Sequence, residues 1–307
     1  MDFDCIVVGA GPAGLSAALI LGRARRHVLV LDSGRGRNYA AHAMHGVLGH
    51  DGLAPAALRE RGVEELGRYG IEVRDAEVEQ ANAIDGGVEL DGISARTLIL
   101  ATGMLDTTPD VEGFDAIYGV SAHTCPYCDG WEHADQRLAI FGPPFAGIHM
   151  GPLLRQWSPD VMVFSAGIEA EDEAALAALG VEVVSEPVER FVANGDGRLT
   201  AIELAGREPI DRDAHFYHVA MEPRNALATT LGCALQENGF ITAAPEDRQT
   251  SVDRVYAVGN CADPMQNVPL AIADGVRAGV AINVRLVGEG VVQPLPDGTG
   301  SAPAPSR

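Results

Sequence analysis

The sequence predicts an α/β protein built around two copies of one strand–glycine turn–helix–strand unit. In the first copy, an apolar strand leads into Gly9-Ala10-Gly11-Pro12-Ala13-Gly14. In the second, a similar strand leads into Gly142-Pro143-Pro144-Phe145-Ala146-Gly147. Two cysteines at CxxC spacing lie between the copies. Together these observations predict two nucleotide-binding (Rossmann-like) domains with a redox motif.

Length and composition limit the possible classes of protein. A chain of 307 residues, 47% of them hydrophobic, is long and apolar enough for two packed domains. Its net charge of −21 disfavours nucleic acid and anionic membranes as partners. All 22 basic residues are arginine, which excludes mechanisms that need a lysine, such as Schiff-base chemistry. With no visible secretory signal and no long apolar run, we expect a cytoplasmic protein whose disulfide is catalytic.

The first unit has the complete dinucleotide fingerprint: strand, Gly-x-Gly-x-x-Gly, helix, strand and acid. Gly9 permits the tight turn, Gly11 lets backbone amides reach a pyrophosphate, and Gly14 lets the helix pack closely on the strand. Asp32, at the end of the second strand, is suited to accept a ribose 2′-OH. The alternative is a glycine-rich turn without a ligand, which the complete context disfavours.

A polar, glycine-rich stretch follows at residues 35–54 and contains three histidines: His42, His45 and His50. Three histidines raise the alternative of a metal site, but no cysteine or acid pair completes a coordination sphere. A loop beside a cofactor is the favoured interpretation, with Asn38 and His45 as contacts, and no metal is predicted.

The remaining segments are assigned from periodicity and turn signals. The predicted elements are a strand at 3–8, a helix to Gly22, a strand at 27–31, an amphipathic helix at 55–69, an antiparallel meander at 71–105, short strands at 181–218 with a hairpin turn at Asn194–Gly197, and a strand that delivers Gly259-Asn260. The Pro- and Gly-rich residues 291–307 have the composition of a disordered tail.

The redox motif is Cys125-Pro126-Tyr127-Cys128-Asp129-Gly130. Cysteines at this spacing can form a small disulfide ring, and a helix starting there would stabilise a thiolate. Asp129 can shuttle the thiol proton. A zinc half-site and an inert pair are the alternatives, but no second CxxC or HxxxH supplies further zinc ligands.

Other residues near the motif have weaker assignments. His123 is a candidate for deprotonating a thiol, with an ordinary polar role as the alternative. Trp131 is predicted to be a packed core aromatic rather than a part of the site. Of the remaining cysteines, Cys5 is predicted to pack as an apolar side chain, and no chemistry is assigned to Cys233 or Cys261.

The motifs in this order resemble the thioredoxin reductase family of flavoproteins. Four elements carry the resemblance: Gly9–Gly14, Ala101-Thr102-Gly103, Cys125–Gly130, and Val258-Gly259-Asn260 with Gln266. It implies a three-layer ββα architecture, with an FAD domain at 1–113 plus 242–290 and a second NAD(P)-type domain at 114–241. It also implies a homodimer.

The resemblance also assigns residues to roles. Cys128 would face the flavin, Cys125 would react with substrate, and Asp129 would be the acid/base. The FAD contacts would be Gly9, Gly11, Pro12, Ala13, Gly14, Asp32, Asn38, His45, Ala101, Thr102, Gly103, Gly259, Asn260, Gln266, Asn267 and Val268. The family usually has Gly-Asp at Gly259-Asn260, but a neutral amide can still bond a hydroxyl.

The NADPH site departs from the family pattern in two ways. Pro144 replaces the middle glycine, so its position lacks an amide donor and carries a ring. The stretch after the next strand, Glu169-Ala-Glu171-Asp172-Glu173, is acidic where basic residues would bind a 2′-phosphate. We therefore expect no NADPH use; a tolerant variant that binds NADH is the alternative.

One branch of the family is more similar still. The stretch 41–52 and Cys-Pro-Tyr-Cys-x-Gly-Trp-Glu resemble the gliotoxin- and holomycin-type dithiol oxidases, which close a small-molecule dithiol to a disulfide and pass electrons through FAD to O2. The runner-up is a reductase of thioredoxin or a small disulfide, fed by NADPH, NADH or an electron-transfer protein. The third possibility is a non-catalytic flavin-binding module.

Overall fold

The computed structural model describes residues 1–218 and 221–292. These residues form two compact units. The first comprises residues 1–34, 61–103 and the chain from residue 225, and the second comprises 35–60 and 104–224. The domain limits given above stay a prediction about folding units. The tail predicted at 291–307 lies outside the described residues from 293 onward.

Strands alternate with helices in the two βαβ segments, as predicted for an α/β chain, and two longer runs of strands lie at 72–106 and 181–223. The helices are α1 (Pro12–Arg23), α2 (Pro55–Gly67), α3 (Phe114–Ile117), α4 (Pro126–Asp129), α5 (Pro144–Leu154), α6 (Ala170–Ala178), α7 (Ala226–Leu231) and α8 (Val268–Gly288). The strands are β1 (Phe3–Val8), β2 (Val28–Asp32), β3 (Glu72–Asp75), β4 (Ala81–Ile84), β5 (Gly87–Leu90), β6 (Ile93–Leu100), β7 (Met104–Asp106), β8 (Ala122–His123), β9 (Leu138–Phe141), β10 (Val161–Phe164), β11 (Val181–Val184), β12 (Val188–Ala193), β13 (Leu199–Leu204), β14 (Arg207–Asp211), β15 (Ala214–Tyr217), β16 (Met221–Pro223) and β17 (Val255–Ala257).

The first unit is organised on one sheet in the order β3-β2-β1-β6-β5-β4, with β17 also paired to β6. Strands β1, β2, β3, β6 and β17 run parallel, and only β4, β5 and β6 pair antiparallel. The predicted antiparallel meander at 71–105 is therefore wrong at its start. Because α2 carries the chain across the sheet before β3, Glu72 pairs in parallel register with Leu29.

Helices α1 and α8 pack closely on each other in the first unit. A Cβ at Gly275 would collide with the backbone of Ala13, and one at Gly279 would lie 3.0 Å from the Ala17 oxygen. Such small residues let two helix backbones approach. The contact fixes α8 against the helix that follows the Gly9–Gly14 turn.

The second unit repeats the plan with a parallel sheet in the order β11-β10-β9-β15-β8. A three-stranded antiparallel sheet, β12-β13-β14, is added to it, with the predicted hairpin turn at Asn194–Gly197 confirmed between β12 and β13. The segment β9-α5-β10 has the parallel arrangement of β1-α1-β2. The predicted internal repeat is therefore confirmed. Across the described residues, every helix is too short or too polar to span a bilayer.

Candidate active site and cofactor-binding site

The first glycine turn has a distinct reason for each glycine. Gly9 has φ +108°, and a Cβ there would collide with the Ala101 oxygen. A Cβ at Gly14 would collide with the Gly9 oxygen, so this glycine permits the close approach of α1 to β1. At Gly11 no atom lies within 4 Å of an added Cβ. The middle glycine therefore borders open space in front of the helix, as a bound pyrophosphate requires.

The donors and acceptors around this turn suit the ADP half of FAD. No side chain caps helix α1. The Leu15 N–H donates to the Gly11 oxygen at 2.9 Å, and the N–H groups before Leu15, in the first turn, are those that a helix leaves for a ligand or cap. The buried Asp32 carboxylate accepts from the Ala10 N–H at 3.0 Å, which fixes it beside the turn. A phosphate-binding helix end and a ribose-binding acid thus lie together, so the residues present fit this cofactor.

Two further motifs of the first unit reach the same edge of the sheet. Ala101 and Thr102 follow β6, and the Ala101 N–H donates to the Val8 oxygen at 2.9 Å. Gly103 has φ +68°, which favours glycine. Gly259 follows β17, which is paired in parallel with β6. The carboxyl ends of parallel strands are where doubly wound sheets bind ligands, so the three predicted segments of the first unit converge there.

The turn after β17 is tightly held. Gly259 has φ +69°, and its N–H donates to Asp274 Oδ2 at 3.2 Å. Asn260, which is partly exposed, follows it. Asn267, predicted as a flavin contact, caps α8 by accepting the Leu270 N–H at 2.8 Å. Gln266 precedes this cap, and α8 begins at the next predicted contact, Val268. Their flavin contacts stay predictions.

The two motif cysteines form a disulfide in the second unit. Their sulfurs are bonded at 2.13 Å and their Cα atoms lie 5.3 Å apart. Cys125 precedes α4, and its oxygen accepts N–H groups from Cys128 and Asp129 at 3.0 and 3.2 Å. The predicted helix does begin there. It has a single turn, however, and Pro126 at its first position has no N–H. Side chains must therefore supply most of any thiolate stabilisation.

A chain of side chains continues from the disulfide into the second unit. His123 Nδ1 lies 3.4 Å from Asp129 Oδ1, and His123 Nε2 lies 2.9 Å from His133 Nε2. His133 Nδ1 in turn lies 2.9 Å from Gln136 Oε1. Sequence reasoning named His123 and Asp129 but missed His133 and Gln136. The only sequence signal was a second histidine shortly after the CxxC motif.

The proton positions in this series of side chains follow from Gln136, the residue at its end. Because Gln136 Oε1 is an acceptor, His133 donates from Nδ1 and accepts at Nε2. Burial lowers the pKa of His133, partly opposed by the Gln136 hydrogen bond, so this imidazole stays neutral. His123 then donates from Nε2, and its Nδ1 faces Asp129 Oδ1 at 3.4 Å. The arrangement places an imidazole and a carboxylate next to each other at the CxxC motif.

The polar loop 35–54 lies in the second unit, with the redox motif. His45 Nε2 is 3.4 Å from Glu132 Oε1, and its Nδ1 is 3.7 Å from Asp51 Oδ1. Asn38 also lies in this loop, where its backbone oxygen accepts from Ala41 N–H. Their role as cofactor contacts stays a prediction. Among the described residues no group of histidines, cysteines or acids has the arrangement of a metal site.

Aromatic side chains flank the disulfide at the surface. Trp131 is 79% exposed, so its prediction as a packed core aromatic is wrong. Tyr127, between the cysteines, is 75% exposed and meets Trp157 edge-on at 5.6 Å. Gly130 is required beside them, since a Cβ there would lie 3.0 Å from the Trp157 ring. Trp157 lies against Gly130, and Trp131 and Tyr127 are exposed at the surface.

The second glycine turn keeps the packing glycines but loses the donors. Gly142 has φ +148°, and a Cβ at Gly147 would collide with Val163, so the first and third glycines still serve the fold. Pro143 is the N-cap of α5 and Pro144 is its first residue. Two successive positions thus lack an N–H at the place where a pyrophosphate would bind.

The end of β10 also differs from the end of β2. Phe141 pairs with Phe164 as Val8 pairs with Leu31, so Ser165 takes the position of Asp32. Ser165 Oγ is buried with no hydrogen-bond partner among the described residues. The segment that follows is acidic, because α6 is capped by Glu169 and has three acids in its first turn: Glu171, Asp172 and Glu173. Such a segment repels a 2′-phosphate.

The other cysteines are buried and unreactive. Burial raises the pKa of Cys5 to about 12 and also raises the pKa values of Cys233 and Cys261. A buried thiol with a raised pKa is a poor nucleophile. The apolar role predicted for Cys5 is confirmed, and thiol exchange is left to Cys125 and Cys128 among the described residues.

Comparison with known proteins decides the family. The family model for pyridine nucleotide-disulphide oxidoreductases matches residues 3–275. The chain belongs to this family. Thioredoxin reductase sirT from Leptosphaeria maculans is 31% identical over 313 residues, which cover 93% of this chain and 95% of that protein. The crystal structure of HlmI is 40% identical with a TM-score of 0.88 over 94% of both chains.

A structure of TrxB from Bacillus anthracis is 30% identical, with a TM-score of 0.88, and covers 94% of this chain and 99% of its own. The thioredoxin reductase-type fold and the family resemblance predicted from the motifs are therefore confirmed. The protein is an oxidoreductase of this type, and the Cys125–Cys128 disulfide is the redox pair its family implies.

Proposed function

We propose that this protein is an FAD-dependent oxidase that closes a small-molecule dithiol to a disulfide, with O2 as acceptor and without NADPH. One observation carries the proposal: the second glycine turn has lost two amide positions at Pro143 and Pro144, while the redox disulfide is intact. Without an entry site for hydride, the substrate thiols themselves are the electron source that this site can use.

The residues around the disulfide support this direction of electron flow. A substrate thiolate attacks Cys125 Sγ, which breaks the Cys125–Cys128 bond and releases the Cys128 thiolate. The second substrate thiol then attacks the sulfur bound to Cys125, forming the product disulfide and releasing Cys125. Two electrons and two protons have passed from substrate to protein. The His123–Asp129 pair, 3.4 Å apart, can take the proton of each attacking thiol in turn and pass it to the cysteine thiolate that is released in the same step.

FAD on the first unit would supply the remaining chemistry, accepting two electrons from the cysteine pair and passing them to O2 to give hydrogen peroxide. The glycine turn, the α1 N-terminus and Asp32 would hold its ADP half, and Asn260 would lie along the ribityl chain. No step needs the second nucleotide site.

The test uses the cysteines and a matched control. Cys125→Ser and Cys128→Ser should each lose O2 consumption driven by a small dithiol. Cys233→Ala should keep it, because Cys233 is buried and lies in the other compact unit. Full activity in either serine variant would exclude the exchange mechanism. Loss of activity in the control would show that the assay reports general damage instead.

A reductase of thioredoxin or another disulfide is the second candidate. The exposed Tyr127 and Trp131 beside the disulfide favour it, since exposed aromatics also suit a protein partner. Its signature is bleaching of the flavin by NADPH or NADH, which the oxidase does not predict. The homodimer, the cytoplasmic location and the identity of the dithiol or thioredoxin-like partner stay predictions.

A further inference from the structure

A buried ion pair lies behind the turn that presents Asn260. Asp274, on α8, and Arg248 are both buried, and Arg248 Nη2 lies 3.2 Å from Asp274 Oδ2, an ion-pair contact without hydrogen-bond geometry. Removing two charges from water is costly, and hydrophobic residues of similar size would often be as stable. The contacts of the pair indicate what it does in this fold.

Asp274 holds the backbone of the turn directly. Its Oδ2 accepts the Gly259 N–H at 3.2 Å, and Gly259 has the left-handed φ of +69°. A Cβ at Gly259 would lie 2.9 Å from Ala13 Cβ, so the turn also packs against the start of α1. The carboxylate therefore fixes the residue immediately before Asn260.

Arg248 ties the preceding strand to the same carboxylate. Its Nε–H donates to the Ala257 oxygen at 3.4 Å, and its own oxygen accepts the Ala257 N–H at 3.0 Å. Arg248 itself has φ +66°, a backbone conformation that residues other than glycine rarely adopt. Strained, buried features of this kind are concentrated at functional sites.

The helix that carries Asp274 is itself fixed to the glycine turn. Gly275, the next residue, packs against the Ala13 oxygen and the Ala17 nitrogen of α1. Asp274 therefore relates the Gly259 turn to the helix that follows Gly9–Gly14. The side chain that the turn itself supplies, Asn260, is neutral. The carboxylate at this turn is therefore that of Asp274, which comes from α8.

We propose that Asp274 and Arg248 are positioning residues for FAD, which hold the Gly259–Asn260 turn in the geometry that binds the ribityl chain. This inference rests on the FAD site of the proposed function, but it does not depend on the direction of thiol chemistry. It predicts that the pair controls FAD affinity through the conformation of the Gly259–Asn260 turn rather than through its own contacts with FAD.

The experiment is an FAD titration of apoprotein, followed by flavin fluorescence, for wild type and five variants. Asp274→Ala is expected to raise the FAD Kd at least about tenfold, because the Gly259 N–H loses its acceptor and Arg248 its counter-charge. Asp274→Asn keeps an acceptor oxygen and should raise it only a few-fold. Arg277→Ala is the matched control, since Arg277 reaches Asp274 Oδ1 at 3.7 Å from the exposed side, and should leave the Kd unchanged.

Asn260→Ala separates positioning from folding. If Asp274 acts through the turn, the combined Asp274→Ala/Asn260→Ala variant should bind FAD little worse than the worse single variant. The inference is wrong if the two substitutions weaken FAD binding additively. It is also wrong if Asp274→Ala lowers the Tm of the apoprotein but leaves the FAD Kd unchanged. Should the alanine variant not fold, an unchanged Kd in Asp274→Asn would overturn it equally. Wild type that binds no FAD would instead contradict the proposed function.

Discussion

The first and second glycine turns share a fold and differ in the atoms they offer a ligand. Gly9 and Gly14 correspond to Gly142 and Gly147. Gly9, Gly14 and Gly147 allow close packing, and Gly142, like Gly9, has a positive φ. The middle positions differ, because Gly11 borders open space while Pro144 follows another proline. Packing requirements and ligand requirements thus fall on different residues of one motif.

The difference extends to the acid at the strand end. Asp32 is held by the Ala10 N–H, whereas its counterpart Ser165 is a buried hydroxyl without a partner among the described residues. A βαβ module can therefore keep its strands, helix and core after it has lost the groups that bind a dinucleotide. Under the proposed function, this is how a chain of this family would keep its second domain without using a nicotinamide cofactor.

The largest expected effect compares the first glycines of the two turns. Gly9→Ala should lower FAD affinity by more than about 100-fold, because the new Cβ collides with the Ala101 oxygen and φ +108° disfavours it. Gly142→Ala meets only Ala146 Cβ at 3.4 Å and His218 Cβ at 3.6 Å. It should lower Tm but leave FAD content per folded molecule unchanged. Equal FAD loss in both variants would remove the functional distinction between the turns.

In the second unit, a substitution beside the redox motif should lower the rate of dithiol oxidation strongly, whereas a substitution in the glycine turn should leave FAD content unchanged. His123→Ala is expected to lower kcat for dithiol oxidation by roughly 10²-fold, since it removes the proton acceptor beside Asp129. The Cys125–Cys128 disulfide and FAD content should be unaffected. The measurement is O2 uptake across pH. An unchanged rate and pH profile would show that the histidine has an ordinary polar role.

A smaller effect compares the two strand ends. Asp32→Asn should raise the FAD Kd by about tenfold, because a charge-assisted hydrogen bond to the ribose is weakened. Ser165→Ala should leave the FAD Kd unchanged and should not reduce stability, because the Ser165 hydroxyl is buried without a partner among the described residues. Titrations of the two apoproteins, side by side, provide the measurement. A weaker FAD Kd in Ser165→Ala would mean that both strand ends serve the flavin.

The smallest effect concerns the core of the second unit. His215 is fully buried and stacks on Phe191 at 4.7 Å, and neither of its ring nitrogens has a partner among the described residues. Burial lowers its pKa to about 3. The unfolded chain, with a pKa near the ordinary 6.5, binds more protons between these values, so stability falls as pH drops from about 6.5 towards 3.

His215→Phe should remove that pH dependence and stabilise the protein by about 1–3 kcal/mol, because an aromatic ring without polar atoms replaces unsatisfied nitrogens. Chemical denaturation at pH 7 and pH 5 measures both effects. A destabilised variant with the original pH dependence would show that the imidazole has a partner and a structural role.

Local motifs in the sequence predicted most of the fold and much of the candidate site. The Gly9–Gly14 turn, the hairpin at Asn194–Gly197 and the CxxC turn each depend on residues close together in the chain. Their conformations therefore follow from local chemistry. The family motifs then fixed their order.

The errors and omissions involve contacts between distant segments. The parallel pairing of β3 with β2 was missed although the helix at 55–69 before it was predicted, because a short strand pattern does not reveal which strand it pairs with. Trp131 is exposed, whereas Trp157, which is distant in sequence, is the tryptophan that packs beside Gly130. The His123–His133 contact and the Arg248–Asp274 pair depend on packing that neither pattern nor spacing encodes.

The most direct test is an anaerobic titration of the flavoprotein, first with dithiothreitol and separately with NADPH, while absorbance near ~450 nm is recorded. The account predicts bleaching by the dithiol, no bleaching by NADPH, and return of the absorbance when air is admitted. Rapid bleaching by stoichiometric NADPH would contradict it, because the turn at Pro143-Pro144 would then bind the nucleotide and the protein would be a reductase.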